Sequence, residues 1–222
     1  MKSKPRYDFH MHTFFSDGEL LPIELIRRAF VLGHKAIAIT DHASYSNIDE
    51  LIPAVRRDCD AVDGWDIKAI PGVEITHVPP AKMDALVKKA RKLGAEIIVV
   101  HGESPVEPVT PGTNLKAVSN PDVDVLAHPG FITLDEAQLA RDNDVYLEIT
   151  CRFGHNQTNG HVYKMGSAAS ARFLVNTDTH ECGDISTHQT ARRIAKAAGM
   201  SESEANLTLL RNPISLLKKR GI

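Results

Sequence analysis

The 222-residue sequence has little cysteine and no long hydrophobic run. Its three cysteines, Cys59, Cys151 and Cys182, are widely spaced and form neither a disulfide framework nor a CxxC pair, which predicts a reducing compartment. The N-terminal region shows no apolar signal-peptide core, and no stretch approaches the length of a membrane span. We therefore expect a cytoplasmic protein without a membrane partner.

Aromatic residues and positive charge are also scarce. Phe, Trp and Tyr together make up 5% of the chain, and the formal net charge is −2. Because single-stranded nucleic acids are bound by basic grooves lined with aromatic side chains, we do not expect nucleic acid as a partner. Hydrophobic residues make up 42%, which is enough for a sizeable core, and the 11 histidines stand out. None of these features predicts an oligomeric state.

Short apolar, β-branched runs alternate with helical patterns, which is typical of a parallel sheet. The predicted strands are 7–12, 36–42, 69–76, 96–101, 125–128, 145–150 and 174–180. The predicted helices are 22–32, 49–62, 81–93, 114–119, 134–143, 160–172 and 187–198. Seven such βα units can form an open sheet or a closed barrel, but the first turn lacks the GxGxxG pattern of an open, nucleotide-binding sheet.

Each predicted strand carries a polar side chain at or just beyond its C-terminal end. In chain order these are His10, His12 and Asp17; Asp41 and His42; Glu74; His101; His128; Glu148 and Arg152; and Asp178 and His180. In a barrel, the C-terminal ends of all strands converge on one mouth. The pairs 10/12 and 178/180 are spaced two residues apart, so each pair leaves one face of its strand. Because these pairs lie on the first and last strands, which become neighbours only in a closed sheet, they favour the barrel.

The residue types at this mouth predict a metal centre. Several carboxylates buried together require cations to neutralise them. Imidazole combined with carboxylate suits Zn, Mn or Fe, and the absence of thiolates argues against a closed structural zinc site. Since one ion takes about four to six ligands, the number of candidate ligands predicts two or three divalent metal ions.

The short motifs around these residues resemble the metal motifs of the PHP (polymerase and histidinol phosphatase) family. They are HMH at 10–12, SDG at 16–18, TDH at 40–42, GVE at 72–74, VHG at 100–102, AHP at 127–129 and TDTH at 177–180. They follow the family's order and span nearly the whole chain. The resemblance implies an α/β fold, a distorted seven-stranded (β/α)7 TIM-like barrel, in which residues 1–222 form a single PHP domain.

The resemblance also implies a trinuclear site. One ion would be held by His10, His12, Glu74 and Asp178. Glu74 would bridge to a second ion, which His101 and His128 also hold. The third ion would be held by Asp17, His42 and His180. Because no metal position of the family pattern is missing, a degenerate, non-catalytic copy is disfavoured.

The resemblance implies a phosphoric monoester hydrolase, similar to histidinol phosphatases. A hydroxide that bridges two ions would attack the phosphorus of a small phosphorylated substrate, and L-histidinol phosphate is the first compound to test. The expected catalytic residues are Glu74, Asp178 and Arg152. The alternatives are a nuclease or nucleotide phosphatase with the same trinuclear site, and a metal-holding module without turnover. An amidohydrolase is disfavoured because no strand end offers the bridging lysine common in that family.

Other polar residues near the strand ends are expected to contact substrate or support the site. Arg152 carries a planar fork suited to phosphate, and His155 and His161 in the following loop are candidate substrate contacts. The long, Pro-rich loop at 102–114 is expected to cover the mouth.

Six further residues are interpreted more simply. Asp8 and Asp41 would each either orient a ligand or act as a buried acid bonded to backbone amides. Glu148 is expected to be a hydrogen-bonding acid of the core. His34 is interpreted as structural, and both His77 and His188 as surface residues.

Overall fold

The computed structural model describes residues 4–222, and its strands and helices alternate along the chain. The strands are β1 (Arg6–Asp8), β2 (His34–Ile39), β3 (His42–Ala43), β4 (Lys68–Ile75), β5 (Ile97–His101), β6 (Val125–Ala127), β7 (Tyr146–Thr150) and β8 (Phe173–Asn176). The helices are α1 (Pro22–Val31), α2 (Ile48–Ala61), α3 (Pro80–Leu93), α4 (Thr113–Val118), α5 (Leu134–Asp142), α6 (Asn159–Ala168), α7 (His188–Ala197), α8 (Glu202–Asn206) and α9 (Asn212–Arg220). Within residues 4–222, no helix has both the length and the hydropathy needed to cross a bilayer.

The strands form one parallel sheet in the order β1-β2-β4-β5-β6-β7-β8, and the short β3 continues β2 and pairs with β4. The sheet nearly closes where the segments that follow β1 and β8 meet. There the Asp178 amide donates to the His10 carbonyl at 2.9 Å, and the His12 amide donates to the Thr179 carbonyl at 2.8 Å. With β2 and β3 taken as one interrupted strand, the fold is a nearly closed barrel of seven parallel strands, as the sequence predicts.

The regular strands are shorter at the mouth than the sequence predicts. β1 ends at Asp8 and β8 ends at Asn176, so the candidate ligands beyond them lie on irregular backbone. Asp178 and His128 have φ angles of 54° and 23°, in the left-handed region that residues other than glycine rarely adopt. Strand alternation alone therefore does not fix where these side chains point.

Apolar side chains form two packed layers, one on each face of the sheet. The layer inside the barrel consists of Phe9, Ala36, Ala38, Ile70, Ile97, Val99, Val125, Ala127, Tyr146, Leu174 and Leu216. Their sequence neighbours, such as Ile37 and Val100, belong to the layer between strands and helices. This division follows from the two-residue period of a strand.

The C-terminal helix α9 covers the floor of the barrel, which is the end opposite the mouth. Its Leu216 completes the interior layer, and Arg220 at its end donates to the Asp124 carboxylate at the start of β6. A π-helical segment, Leu207–Arg211, joins α8 to α9. The sequence prediction contains no helix after residue 198, so it missed the helices that form this floor.

Candidate metal centre

The mouth of the barrel brings all nine predicted ligands together. They are His10, His12, Asp17, His42, Glu74, His101, His128, Asp178 and His180. Six of them are buried, His42 and His180 are half-buried, and Asp17 is exposed. They form overlapping groups in which the candidate ligand atoms lie within 4.8 Å of one another.

The innermost part consists of two buried carboxylates among three imidazoles. His10 Nε2 lies 3.3 Å from Glu74 Oε1 and 3.6 Å from Asp178 Oδ1. His12 Nε2 lies 3.5 Å from Glu74 Oε2 and 3.3 Å from Asp178 Oδ1. His128 Nε2 lies 3.8 Å from Glu74 Oε1 and 3.6 Å from Asp178 Oδ2. Three imidazole nitrogens therefore converge between the same two carboxylates.

A second group lies nearer to the solvent, around Asp17. Asp17 Oδ2 is 3.2 Å from His180 Nε2 and 3.5 Å from His42 Nε2. His12 turns its other nitrogen, Nδ1, towards Asp17 Oδ1 at 3.8 Å. The three residues predicted for one ion thus lie together, and His12 connects them to the inner group.

Glu74 also connects the inner group to its neighbours in the sheet. His101 Nδ1 lies 3.1 Å from Glu74 Oε1, and His42 Nδ1 lies 2.8 Å from Glu74 Oε2. The two carboxylate oxygens therefore face different sets of imidazoles, so Glu74 could contact more than one ion.

Comparison with known proteins agrees with this geometry. The PHP domain matches residues 8–118, half of the chain. The chain belongs to the PHP family. An uncharacterized protein of Methanocaldococcus jannaschii is 49% identical over 216 residues, which cover 96% of this chain and 99% of that protein. PHP proteins are metal-dependent hydrolases, so the family and the His, Asp and Glu clusters point to the same chemistry.

Two of the more distant relatives have different descriptions. Ribonuclease P protein component 3 of Methanosarcina mazei is 26% identical over 228 residues, covering 96% of this chain and 89% of that protein. A probable phosphatase of Caldanaerobacter subterraneus is 27% identical over 229 residues, covering 91% and 87%. A chain in a structure of archaeal ribonuclease P with mature tRNA superposes with a TM-score of 0.72 at 17% identity, covering 97% and 91%. This last likeness concerns the fold alone.

The charges of the PHP site depend strongly on one another. Burial raises the pKa of Glu74, but the imidazoles of His10 and His42 outweigh it and hold that pKa well below its usual range. Burial lowers the pKa of His42, but Glu74 and Asp17 outweigh it and raise the pKa to about 10. Burial lowers the pKa of His128 to about 3. In the same cluster, the environment of His42 therefore favours the protonated ring, and that of His128 favours the neutral ring.

Several buried donor atoms of the site have no hydrogen-bond partner. They include His10 Nε2, both nitrogens of His12 and His128 Nδ1. Among residues 4–222, every ion-pair partner of Glu74 and Asp178 is a histidine, and neither carboxylate contacts a lysine or arginine. Buried polar atoms without partners are costly, and nitrogen and oxygen donors of this kind suit divalent ions. The residues present therefore fit the metal ions that the family uses.

Glu148 supports the site from within the sheet. Its Oε1 lies 2.8 Å from His10 Nδ1 and accepts from Asn176 Nδ2 at 2.9 Å, while its Oε2 accepts from the His128 amide at 2.9 Å. This contact leaves His10 Nε2 directed at Glu74 and Asp178. The prediction of a hydrogen-bonding core acid is confirmed, and the contact with His10 adds a role in orienting that ring.

Asp8 and Asp41 hold the segments that carry ligands. Asp8 accepts from the Thr177 amide at 3.1 Å and from its hydroxyl at 2.8 Å, immediately before Asp178. Asp41 accepts from the Thr13 amide and from the Ser16 hydroxyl, both at 2.7 Å, immediately before Asp17. Of their two predicted roles, the structure shows that of buried acids bonded to backbone amides.

Arg152 lies at the rim of the mouth and is already paired. Its Nη1 donates to Asp184 Oδ2 at 3.1 Å, and the same oxygen accepts from the His180 amide at 3.0 Å. The side chain is 32% exposed, so its remaining donors are accessible. Contact with a phosphate stays a prediction for this residue.

The two histidines predicted to contact substrate have different environments. The buried His155 stacks on His128 with ring centroids 4.2 Å apart, so it forms part of the wall of the mouth. His161 Nε2 bonds to the Ile132 carbonyl at 2.8 Å, and His161 belongs to none of the candidate ligand groups. Substrate contact stays a prediction for both residues.

Sequence analysis missed Glu107, which lies in the long loop between β5 and α4. Its carboxylate is 2.9 Å from His101 Nε2, 3.2 Å from His155 Nε2 and 3.4 Å from His77 Nε2. The Pro-rich sequence around it has no periodicity from which its direction could be deduced. The unusual length of the loop was the only signal.

The remaining histidines separate into surface and structural residues. His77 is 44% exposed, as predicted, although it contacts Glu107. His34 is buried with Nδ1 2.9 Å from the Ala29 carbonyl, so its structural interpretation is confirmed. The surface interpretation of His188 was wrong, because the ring is buried with Nδ1 3.0 Å from the Pro5 carbonyl.

Proposed function

We propose that this PHP protein is a metal-dependent phosphoesterase that hydrolyses a small phosphomonoester. The observation that carries the proposal is the complete set of nine candidate ligands at one mouth, several of which have buried nitrogen atoms without a hydrogen-bond partner. Completeness counts against a metal-holding module without turnover. L-histidinol phosphate is the first substrate to test.

The division of the ligands among ions is part of the proposal. His10, His12, Glu74 and Asp178 would hold one ion, and Glu74 would share a second with His101 and His128. Asp17, His42 and His180 would hold the third. When bound, such ions neutralise phosphoryl oxygens and lower the pKa of nearby water.

The protein's own groups would place the substrate. Arg152 would direct its free guanidinium donors at the phosphate, while Asp184 keeps the side chain at the rim. Glu148 fixes the ring of His10 and so keeps its Nε2 directed at the carboxylates. His155 forms the wall beside His128, where the organic part of a small substrate would pass.

The charges around the mouth favour a small substrate over a nucleic acid strand. The segments that follow the strands are 9–21, 40–47, 76–79, 102–112, 128–133, 151–158 and 177–187. Their acidic residues are Asp17, Glu19, Asp41, Glu103, Glu107, Asp178, Glu181 and Asp184. They contain no lysine, and Arg152 is their single arginine. A strand carries many phosphates and needs a basic track beyond the reacting group, whereas bound ions can neutralise one phosphate.

The second candidate is an RNA-associated protein, with or without nuclease activity. The relative named ribonuclease P protein component 3 favours it, since the similarity extends over 96% of this chain. The acidic mouth opposes RNA at this end of the barrel. RNA would therefore have to contact a different face.

A substrate screen joined to metal analysis tests these proposals. Protein purified without chelators should contain two to three transition metal ions per chain. It should hydrolyse L-histidinol phosphate or p-nitrophenyl phosphate, and should leave bis(p-nitrophenyl) phosphate and single-stranded RNA intact. Asp17→Asn is a matched variant that should lose activity with the fold retained.

Each other outcome has a definite meaning. Cleavage of RNA would replace the phosphatase with a nuclease. Tight binding of tRNA without turnover of any phosphoester by metal-loaded protein would replace it with an RNA-associated module. A metal content near zero under metal-replete conditions would overturn the metal centre itself.

The extent of the domain and its compartment are also proposals. The family match ends at residue 118, but β6, β7 and β8 are needed to close the barrel, which supports one PHP domain over residues 1–222. Residues 1–3 of that span lie outside the described residues. All three cysteines are free thiols, which supports a reducing cytoplasm.

A further inference from the structure

The Glu107 carboxylate contacts imidazoles from three separate parts of the barrel mouth. His77 follows β4, His101 ends β5, and His155 follows β7, and a nitrogen of each lies within 3.4 Å of the Glu107 carboxylate. The neighbouring imidazoles of His101 and His155 hold the pKa of Glu107 below its usual range. The side chain is 35% exposed, so Glu107 approaches the site from the solvent side.

The ring of His101 lies between two carboxylates. Its Nδ1 is 3.1 Å from Glu74 Oε1, and its Nε2 is 2.9 Å from Glu107 Oε2. His10 has the same arrangement, with Nε2 directed at Glu74 and Nδ1 at Glu148. Histidines that bind metals commonly donate their second ring N–H to a carboxylate, which fixes the tautomer and the ring plane.

The two supporting carboxylates differ in how they are held. Glu148 is fully buried in β7 and is fixed by Asn176 and by the His128 amide. Glu107 lies in the tip of a loop, and its position depends on how that loop is held.

The base of this loop is firmly held. Glu103 Oε1 accepts from the Gly112 amide at 3.0 Å and from the Asn114 amide at 2.9 Å. At Gly102, an added Cβ would lie 2.2 Å from the Ala127 carbonyl oxygen, so only glycine permits this approach of β5 to β6. The Ser104 hydroxyl, 2.6 Å from His155 Nδ1, ties the start of the tip to the wall.

We propose that Glu107 is a positioning residue of the metal centre. Its carboxylate, 2.9 Å from His101 Nε2, would pair with that nitrogen and so present His101 Nδ1 to the position beside Glu74. Through His155 the same carboxylate fixes the loop against His128. When the loop is in place, Glu107 therefore orients the ligand His101 at the same time. This inference rests on the metal centre of the proposed function and goes beyond its nine ligands.

Metal affinity is the decisive measurement. Zn²⁺ binding to wild type, Glu107→Ala and Glu107→Asp would be followed by competition with a chromogenic chelator. We expect Glu107→Ala to weaken the most sensitive site by roughly 10- to 100-fold, and Glu107→Asp to restore part of that loss. The stoichiometry at saturating Zn²⁺ and the Tm of the metal-free protein should stay those of wild type.

Two matched variants separate this role from others. Glu19→Gln removes one negative charge from an exposed position of the mouth and should leave the affinity unchanged. His77→Gln removes the exposed imidazole next to Glu107 and should also leave it unchanged.

Three outcomes would overturn the proposal. Wild-type affinity in Glu107→Ala would remove the positioning role. Loss of one ion at saturation in both Glu107→Ala and His77→Gln would make Glu107 a ligand of a separate site. A lower Tm of metal-free Glu107→Ala with unchanged affinity would make its role structural only. Wild-type protein that binds no Zn²⁺ is a different failure, because it removes the metal centre as well.

Discussion

Both ends of the barrel bury carboxylates, but they surround them with different partners. At the floor, Asp124 accepts from Arg91 Nη2 at 2.6 Å and from the Ile98 amide at 2.8 Å, and Arg220 in α9 also donates to it. Arginine stays charged at any working pH, so this carboxylate is neutralised permanently by the protein itself.

At the mouth, the ion-pair partners of Glu74 and Asp178 are imidazoles. An imidazole can give up its proton and offer a lone pair, whereas a guanidinium cannot. The buried carboxylate at the floor therefore contributes to stability, whereas the buried carboxylates at the mouth can still bind an added cation. The difference teaches that the type of partner, rather than burial itself, distinguishes a structural acid from a candidate ligand.

The largest expected effect comes from breaking the mouth. Glu74→Gln keeps the shape of the side chain but removes the charge that two ions would share. We expect kcat/KM for the hydrolysed phosphomonoester to fall by roughly three orders of magnitude or more, with the far-UV circular dichroism unchanged. Wild-type rates in Glu74→Gln would exclude Glu74 as the bridge.

The floor should respond in the opposite way. Asp124→Asn leaves Arg91 and Arg220 without their shared carboxylate, and we expect the free energy of unfolding to fall by about 3 kcal/mol. Urea denaturation measures this loss, while metal content and kcat should stay those of wild type. Loss of metal from Asp124→Asn with unchanged stability would contradict the division of roles between floor and mouth.

His34 at the start of β2 is a buried histidine outside the metal centre, and its effect can be measured as a change of stability with pH. Burial lowers its pKa to about 3, from an ordinary value of 6.5. A histidine with a lowered pKa contributes full stability above its unfolded pKa and loses it as the pH falls from 6.5 towards 3. Between pH 7 and pH 5 this loss is about 2 kcal/mol.

The control for this prediction is His34→Gln, which has no titrating group at that position. Urea denaturation of both proteins at pH 7 and pH 5 isolates the contribution of His34. Wild type should lose about 2 kcal/mol more than the variant over this interval. Equal losses would show that the ring is not held neutral by burial.

The smallest effect is expected at the rim of the mouth. Arg152 divides its donors between Asp184 and the proposed phosphate, so Arg152→Ala should lower kcat/KM by roughly tenfold, or about 1.4 kcal/mol. Arg152→Lys keeps the charge without the planar fork and should recover little of it. Metal content should not change. Steady-state kinetics within about twofold of wild type in both variants would identify a solvated surface arginine.

The candidate ligands could be predicted because they follow the C-terminal ends of parallel strands, which converge on one mouth. Their directions could not, because the ligands beyond β1 and β8 lie on irregular backbone. Glu107 could not, since a carboxylate in an aperiodic, Pro-rich loop gives no sign of its direction. The floor was missed as well, because the sequence prediction ends its last helix at residue 198. In the structure Pro213 lies in the first turn of α9, where the missing N–H costs nothing.

The seam between β1 and β8 is closed by the very segments that carry candidate ligands, through backbone hydrogen bonds between His10 and Asp178 and between His12 and Thr179. An ion shared by His12 and Asp178 would fasten this seam as a cross-link fastens two distant parts of a chain. Metal binding would then close the barrel as well as supply its chemistry, because the ion joins the first and last strands. The free energy of metal binding would add directly to the free energy needed to open this seam.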